Sequence, residues 1–144
     1  MYGDTDVMRR RAAELREQGI DLRALADRLV AQTEHVGWTG RAAVALDDRV
    51  RTRAAHLRDV AARHDTAAEA LELHLDEVEG LQEAIAGIER KAAALVADAR
   101  TRIARLGHAD DVHVTPDPED ERLAAFTPPP PGHRDWLAVE LPGL

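Results

Sequence analysis

The chain contains no cysteine and no serine, and aromatic residues make up only 3% of its 144 residues. Without cysteine there is neither a disulfide framework nor a thiolate zinc site, so folding needs no oxidising compartment. Without serine or cysteine two common nucleophiles are missing, and no set of nucleophile, base and orienting group stands out. The chain therefore reads as a non-enzyme that needs no cofactor. Long apolar runs are absent too, so no membrane-spanning helix is expected. Met1 to Arg11 are polar and no apolar segment follows them, so a classical signal peptide is not expected. The formal net charge of −8 gives no reason to bind a phosphate backbone, which argues against nucleic acid as a partner. Proline is missing from the first 115 residues, and all seven prolines lie between Pro116 and Pro142.

What is present is a vocabulary for helices. Hydrophobic residues are 44% of the chain and are mostly Ala, Leu, Val and Ile, which suit helices packed through small and branched aliphatic side chains better than they suit sheets. The charge is segregated. Residues 1–64 carry +2, residues 65–106 carry −4 and residues 107–144 carry −6. Composition thus divides the chain near Gly107 into a helical region, 1–106, and an acidic, proline-rich tail, 107–144.

In the first segment Met8, Leu15, Leu22, Leu29 and Val36 recur every seven residues, with Ala12, Gly19 and Ala26 four places behind. Large residues thus run beside small ones, and small residues let a neighbouring backbone come close. Gly19 costs roughly 1 kcal/mol of helix propensity relative to alanine, which close packing would have to offset. Thr5 or Asp6 is a candidate N-cap and Gly37 a candidate stop, predicting a helix over 6–36. After Gly40 the seven-residue spacing resumes at Ala43 and runs through Val50, Leu57, His64, Leu71, Val78, Ile85, Ala92 and Ala99 to Leu106. Leu46, Ala54, Ala61, Ala68, Leu75, Ile88, Leu95 and Ile103 fill a second row. Sustained heptads predict a bundle or coiled-coil helix over 41–106, with soft points at His64–Thr66, Gly80 and Gly87.

Length then implies a partner. A first helix of about 45 Å, folded back on a second of about 100 Å, covers it only to about residue 74. The remaining stripe would face water, a larger patch than soluble monomers usually show. The expected fold is all-α: an antiparallel hairpin with a long second helix, pairing into a four-helix bundle and followed by an extended tail. A break near residue 65 would give a three-helix monomer instead. The candidate partner interface is Leu15, Leu22, Leu29, Leu71, Leu75, Val78, Ile85, Ile88, Leu95 and Ile103. In the tail, Pro128 to Pro131 predict a short polyproline spacer. Beyond it, 133–144 is a candidate docking segment through Trp136, Leu137, Val139 and Leu141, either onto its own bundle or onto another protein. His108, Asp110, Asp111 and His113 have metal-ligand chemistry, but they read as a solvated loop. No metal site is expected.

Between the helices stands Val36-Gly37-Trp38-Thr39-Gly40-Arg41, with one of only two tryptophans in the chain. A bland linker would serve as a turn, and the plain alternative is that Trp38 plugs the end of a core. Thr39 is a candidate cap for the next helix. A Trp-X-Gly turn, here Trp38, Thr39 and Gly40, between two heptad helices resembles the WXG family of type VII (ESX) secretion substrates. So do the acidic composition and the absence of cysteine and of a signal peptide. The resemblance covers roughly residues 5–106. This chain departs from the family in its longer second helix, its tail and its tyrosine: Tyr2 precedes the first helix, whereas the family's Tyr-x-x-x-Asp/Glu signal follows the second. The resemblance implies a secretion substrate or targeting subunit that leaves the cell without a classical signal peptide. It would pair with a second helical hairpin, the same chain or a different one carrying the tyrosine signal. Trp38, Thr39 and Gly40 would be its half of an export signal read by a secretion ATPase. Two alternatives are a cytoplasmic adaptor or chaperone for a secreted toxin and a homodimeric coiled-coil scaffold.

Overall fold

A computed structural model describes residues 2–108 and 114–144. Its elements, in order, are α1 (Tyr2–His35), α2 (Arg41–Leu106), α3 (Pro118–Ala124) and a short 3-10 helix (Arg134–Ala138). The described residues contain no strand. The chain is all-helical, and its second helix is one unbroken run of 66 residues. The soft point at His64–Thr66 does not break it. There the ring Nδ1 of His64 lies 2.9 Å from the Val60 carbonyl, and the Thr66 hydroxyl donates to the Ala62 carbonyl at 3.1 Å. Both side chains turn back onto the helix rather than capping a new one. Gly80 and Gly87 are likewise carried inside α2. At the other end α1 starts at Tyr2, ahead of the expected caps, so Tyr2 is the first residue of the helix and does not precede it. Thr5 is a buried residue within the helix, not its cap.

Two compact units make up the chain, Met1–Val78 and Glu79–Leu144. The division falls within α2 rather than near Gly107, where composition changes. Burial explains why: the first part of α2 packs on α1, and the second part packs on the tail.

In the first unit α1 and α2 run antiparallel. The direction is fixed by cross-helix pairs: Arg16 with Glu72, Arg23 with Asp65, Asp27 with Arg58 and Glu34 with Arg51. As the first number rises the second falls. The centre of the contact is the row of small residues. Ala12, Gly19 and Ala26 on α1, and Ala54, Ala61, Ala68 and Leu75 on α2, are buried. A Cβ added to Gly19 would lie 3.3 Å from the Ala61 carbonyl oxygen and 3.0 Å from Asp65 Oδ1. The backbones therefore approach closely there, and the glycine is required by space.

In the second unit the tail folds back on α2. It is not the extended segment expected from its proline content. Asp117 caps α3 by accepting from the Glu119 amide at 2.9 Å, with Pro118 at the first helical position, where its missing N–H costs nothing. Arg102 grips Asp120 through two nitrogens at 2.6–3.1 Å, and Leu123 is buried. After the prolines, Gly132 takes a left-handed φ of 71° and its amide donates to Glu89. Trp136, 5% exposed, then lands on Ile85 and Ala92. Ile88, Phe126, Val139, Leu141 and Leu144 pack around this cluster. The Trp136 indole N–H donates to the Pro130 carbonyl at 3.0 Å, and Phe126 meets the ring edge-on at 6.1 Å. The polar end of the ring is satisfied while its apolar body is buried.

Candidate interaction face and hinge

The first unit has two unlike sides. A helix turns 100° per residue, so Arg16, Arg23, Asp65 and Glu72 lie on one side of the small-residue seam and the leucine row on the other. The first side is closed by the four ion pairs. Hydrogen bonds from arginine hold the carboxyls of Asp65 and Glu72 below their ordinary range, and Glu72 in turn raises the Arg16 guanidinium. On the second side Met8, Leu15, Leu22 and Leu29 from α1, and Val50, Leu57, His64, Leu71 and Val78 from α2, are all half-buried. A groove of about 680 Å³ opens there between Leu29, Val50 and Leu57, edged by Arg49, Arg53 and His56. Eight large aliphatic side chains at half burial, with His64 among them, form an apolar face with polar edges.

The ten residues expected to form one partner interface fall into four groups. Leu15, Leu22, Leu29, Leu71 and Val78 lie on the apolar face, and Leu75 is buried in the seam. Ile85 and Ile88 belong to the cluster beneath Trp136. Leu95 lies by Gly143, where an added Cβ would stand 3.4 Å from its Cδ2, and Ile103 is half-buried. The stripe beyond residue 74 therefore does not all await a separate partner, because the tail covers Ile85 and its neighbours. Of the tail residues singled out, Trp136, Val139 and Leu141 sit in the cluster while Leu137 is 49% exposed. Phe126 and Leu144, which the sequence pattern did not single out, join it. The signal for Phe126 was its rarity, as the only phenylalanine in the chain.

The hinge is built by two glycines in left-handed conformations, Gly37 at φ 65° and Gly40 at φ 99°. Gly37 ends α1 where a left-handed residue is favoured. Gly40, not Thr39, precedes the first residue of α2, and its carbonyl accepts from the Val44 amide at 3.1 Å. Trp38 between them is 69% exposed. It does not plug a core. Val36, Val44 and Leu46 are exposed beside it, around a cleft of about 320 Å³ that also touches Glu34 and Asp47.

No group of three or more potential ligands among the described residues could hold a metal ion. Of the His108–His113 cluster, residues 109–113 lie outside the described residues. No helix among the described residues is long and apolar enough to cross a membrane. Comparison with protein-family models, curated proteins and solved structures finds no match. The class that the residues themselves define is an amphipathic α-helical hairpin followed by a tail that packs back on the longer helix.

Proposed function

We propose that the chain is a non-enzymatic recognition protein of the type VII secretion kind. In this reading it pairs with another helical hairpin, in a four-helix arrangement, through the apolar face of its first unit. It presents Trp38, Thr39 and Gly40 as its part of an export signal. The observation that carries the reading is the exposure of Trp38. An indole held 69% in solvent, between two glycines in conformations that L side chains rarely adopt, adds little to folding. Such an arrangement suits recognition by another protein, because an exposed aromatic makes a strong anchor when buried by a partner. The motif's place, in the only turn between two long helices, fits the WXG resemblance, and a secretion ATPase is the reader it implies.

The test is export of Trp38→Ala. Because the side chain is exposed, the variant is expected to match wild type in helicity and thermal stability, yet to stay in the cells while wild type reaches the culture fluid. Undiminished export of this variant from cells with an active type VII system would overturn the signal role.

A further inference from the structure

The apolar face of the first unit carries an internal symmetry. Along α2 its row reads Val50, Leu57, His64, Leu71, Val78. Read backwards, the order is the same. The two ends of its edge are complementary in charge. Arg49 and Arg53 edge the groove at the hinge end, while Glu77, an exposed residue, holds the same register as Arg49 four heptads later. On α1 the same axis falls at Leu22, since Arg23 pairs with Asp65, and the row about it is also close to reversible, with Leu15 and Leu29 on either side and Met8 and Val36 outside them.

We infer that the hairpin that covers this face is a second copy of the same chain, lying antiparallel about a two-fold axis at His64. This rests on the reading of the face as a pairing surface and names its partner. In that arrangement Val50 of one copy lies over Val78 of the other, Leu57 over Leu71, and His64 over its own counterpart. A self-complementary patch is what a closed two-fold dimer requires. Arg49 then comes beside Glu77 at both ends of the contact. A two-fold axis parallel to the helices instead sets α2 of one copy over α1 of the other, so the Arg49 and Glu77 of the two copies do not meet. His64 is the only polar member of its row. At the axis its counterpart is the same side chain, and a single polar position in an apolar seam selects one register over slipped ones. Within its own hairpin His64 is held by the Val60 carbonyl and flanked in the row by Leu57 and Leu71.

The absence of native cysteine makes the test direct. Wild type is expected to sediment as a dimer at micromolar concentration. Single-cysteine variants are then oxidised mildly. His64→Cys is expected to crosslink to itself. Val50→Cys and Val78→Cys are expected not to self-link, because two copies of either residue would stand about 42 Å apart along the helix, but to form a mixed disulfide when combined. Arg49→Glu is expected to raise the dissociation constant by roughly tenfold, since each reversal acts twice in a symmetric pair, and Arg49→Glu with Glu77→Arg to restore it. A folded wild-type monomer, or self-linking of Val50→Cys, would overturn the inference. A monomer whose export still depends on Trp38 would refute self-pairing alone. A two-fold dimer whose Trp38→Ala variant is exported normally would refute the signal role alone.

Discussion

Gly19 offers the sharpest measure of how close the two long helices come. Gly19→Ala is, by local propensity, a gain: alanine in a helix interior is favoured over glycine by about 0.8–1.0 kcal/mol. The structure opposes it. The new methyl carbon would stand 3.3 Å from the Ala61 carbonyl oxygen, which belongs to the backbone of α2, and 3.0 Å from Asp65 Oδ1. The carboxylate is itself held by Arg23, so neither neighbour yields freely. Overpacking of this kind costs about 1–3 kcal/mol, which leaves a net loss of about 1 kcal/mol after the propensity gain is taken off. Gly80 is the internal control. It lies inside α2 as Gly19 lies inside α1, but an added Cβ there meets nothing within 4 Å. Gly80→Ala is therefore expected to gain the full propensity term, about 1 kcal/mol. The two variants should differ by about 2 kcal/mol in opposite directions from wild type, or about 3–4 °C of melting temperature for each kcal/mol in a chain of this size. Circular dichroism at 222 nm, followed through thermal and urea unfolding at matched protein concentration, measures both. If Gly19→Ala is stabilised as much as Gly80→Ala, the close α1–α2 contact, and with it the small-residue seam, is wrong.

Two further outcomes follow from the same geometry. Trp136→Ala removes the buried ring that joins the tail to Ile85 and Ala92, and a loss of about 3–5 kcal/mol is expected from the second unit, read as early proteolysis around the prolines while the α1–α2 unit stays protected. Acid should loosen the ionic side of the hairpin and the Arg102–Asp120 clasp together. Arginine hydrogen bonds lower the folded values of Asp65, Glu72 and Asp120 from ordinary values of 3.8, 4.5 and 3.8. Their contribution is thus complete above that range and is lost as pH falls through the lowered values. Urea midpoints that stay flat between pH 5 and pH 2 would contradict it.

Much of the fold is legible because its signals are local. The spacing of Leu15, Leu22 and Leu29, and the matching rows from Val50 onward, set two long helices without reference to anything distant. The glycines at 37 and 40 marked the turn, and the second helix runs over the residues its periodicity marked, Arg41–Leu106. Other features were not legible, because they depend on which residues meet across the chain. The sequence showed large and small residues in adjacent rows but not which row would lie at the centre. Only the pairing of α1 with α2 puts Ala26 and Ala61 in the seam and leaves Leu22 and Leu57 at its edge. The four cross-helix ion pairs join residues 17 to 56 positions apart, a separation at which charge pattern alone does not name partners.

The tail makes the same point more strongly. Its proline content describes a chain that cannot continue a helix or join a sheet, which is a statement about local geometry and led to an extended segment. Whether such a chain stays extended depends on apolar surface elsewhere, and here Ile85, Ile88 and Ala92 supply it. By itself the sequence determined the two long helices, every end of theirs but the start of α1, and the turn that holds Trp38. The tertiary structure decided which faces are closed. The seam is shut by small side chains, the ionic side by arginine pairs and the stripe beneath Trp136 by the tail. The physical reason is one of range: hydrogen bonding and backbone preference act within a few residues, whereas burial is settled only when distant segments compete for the same apolar surface.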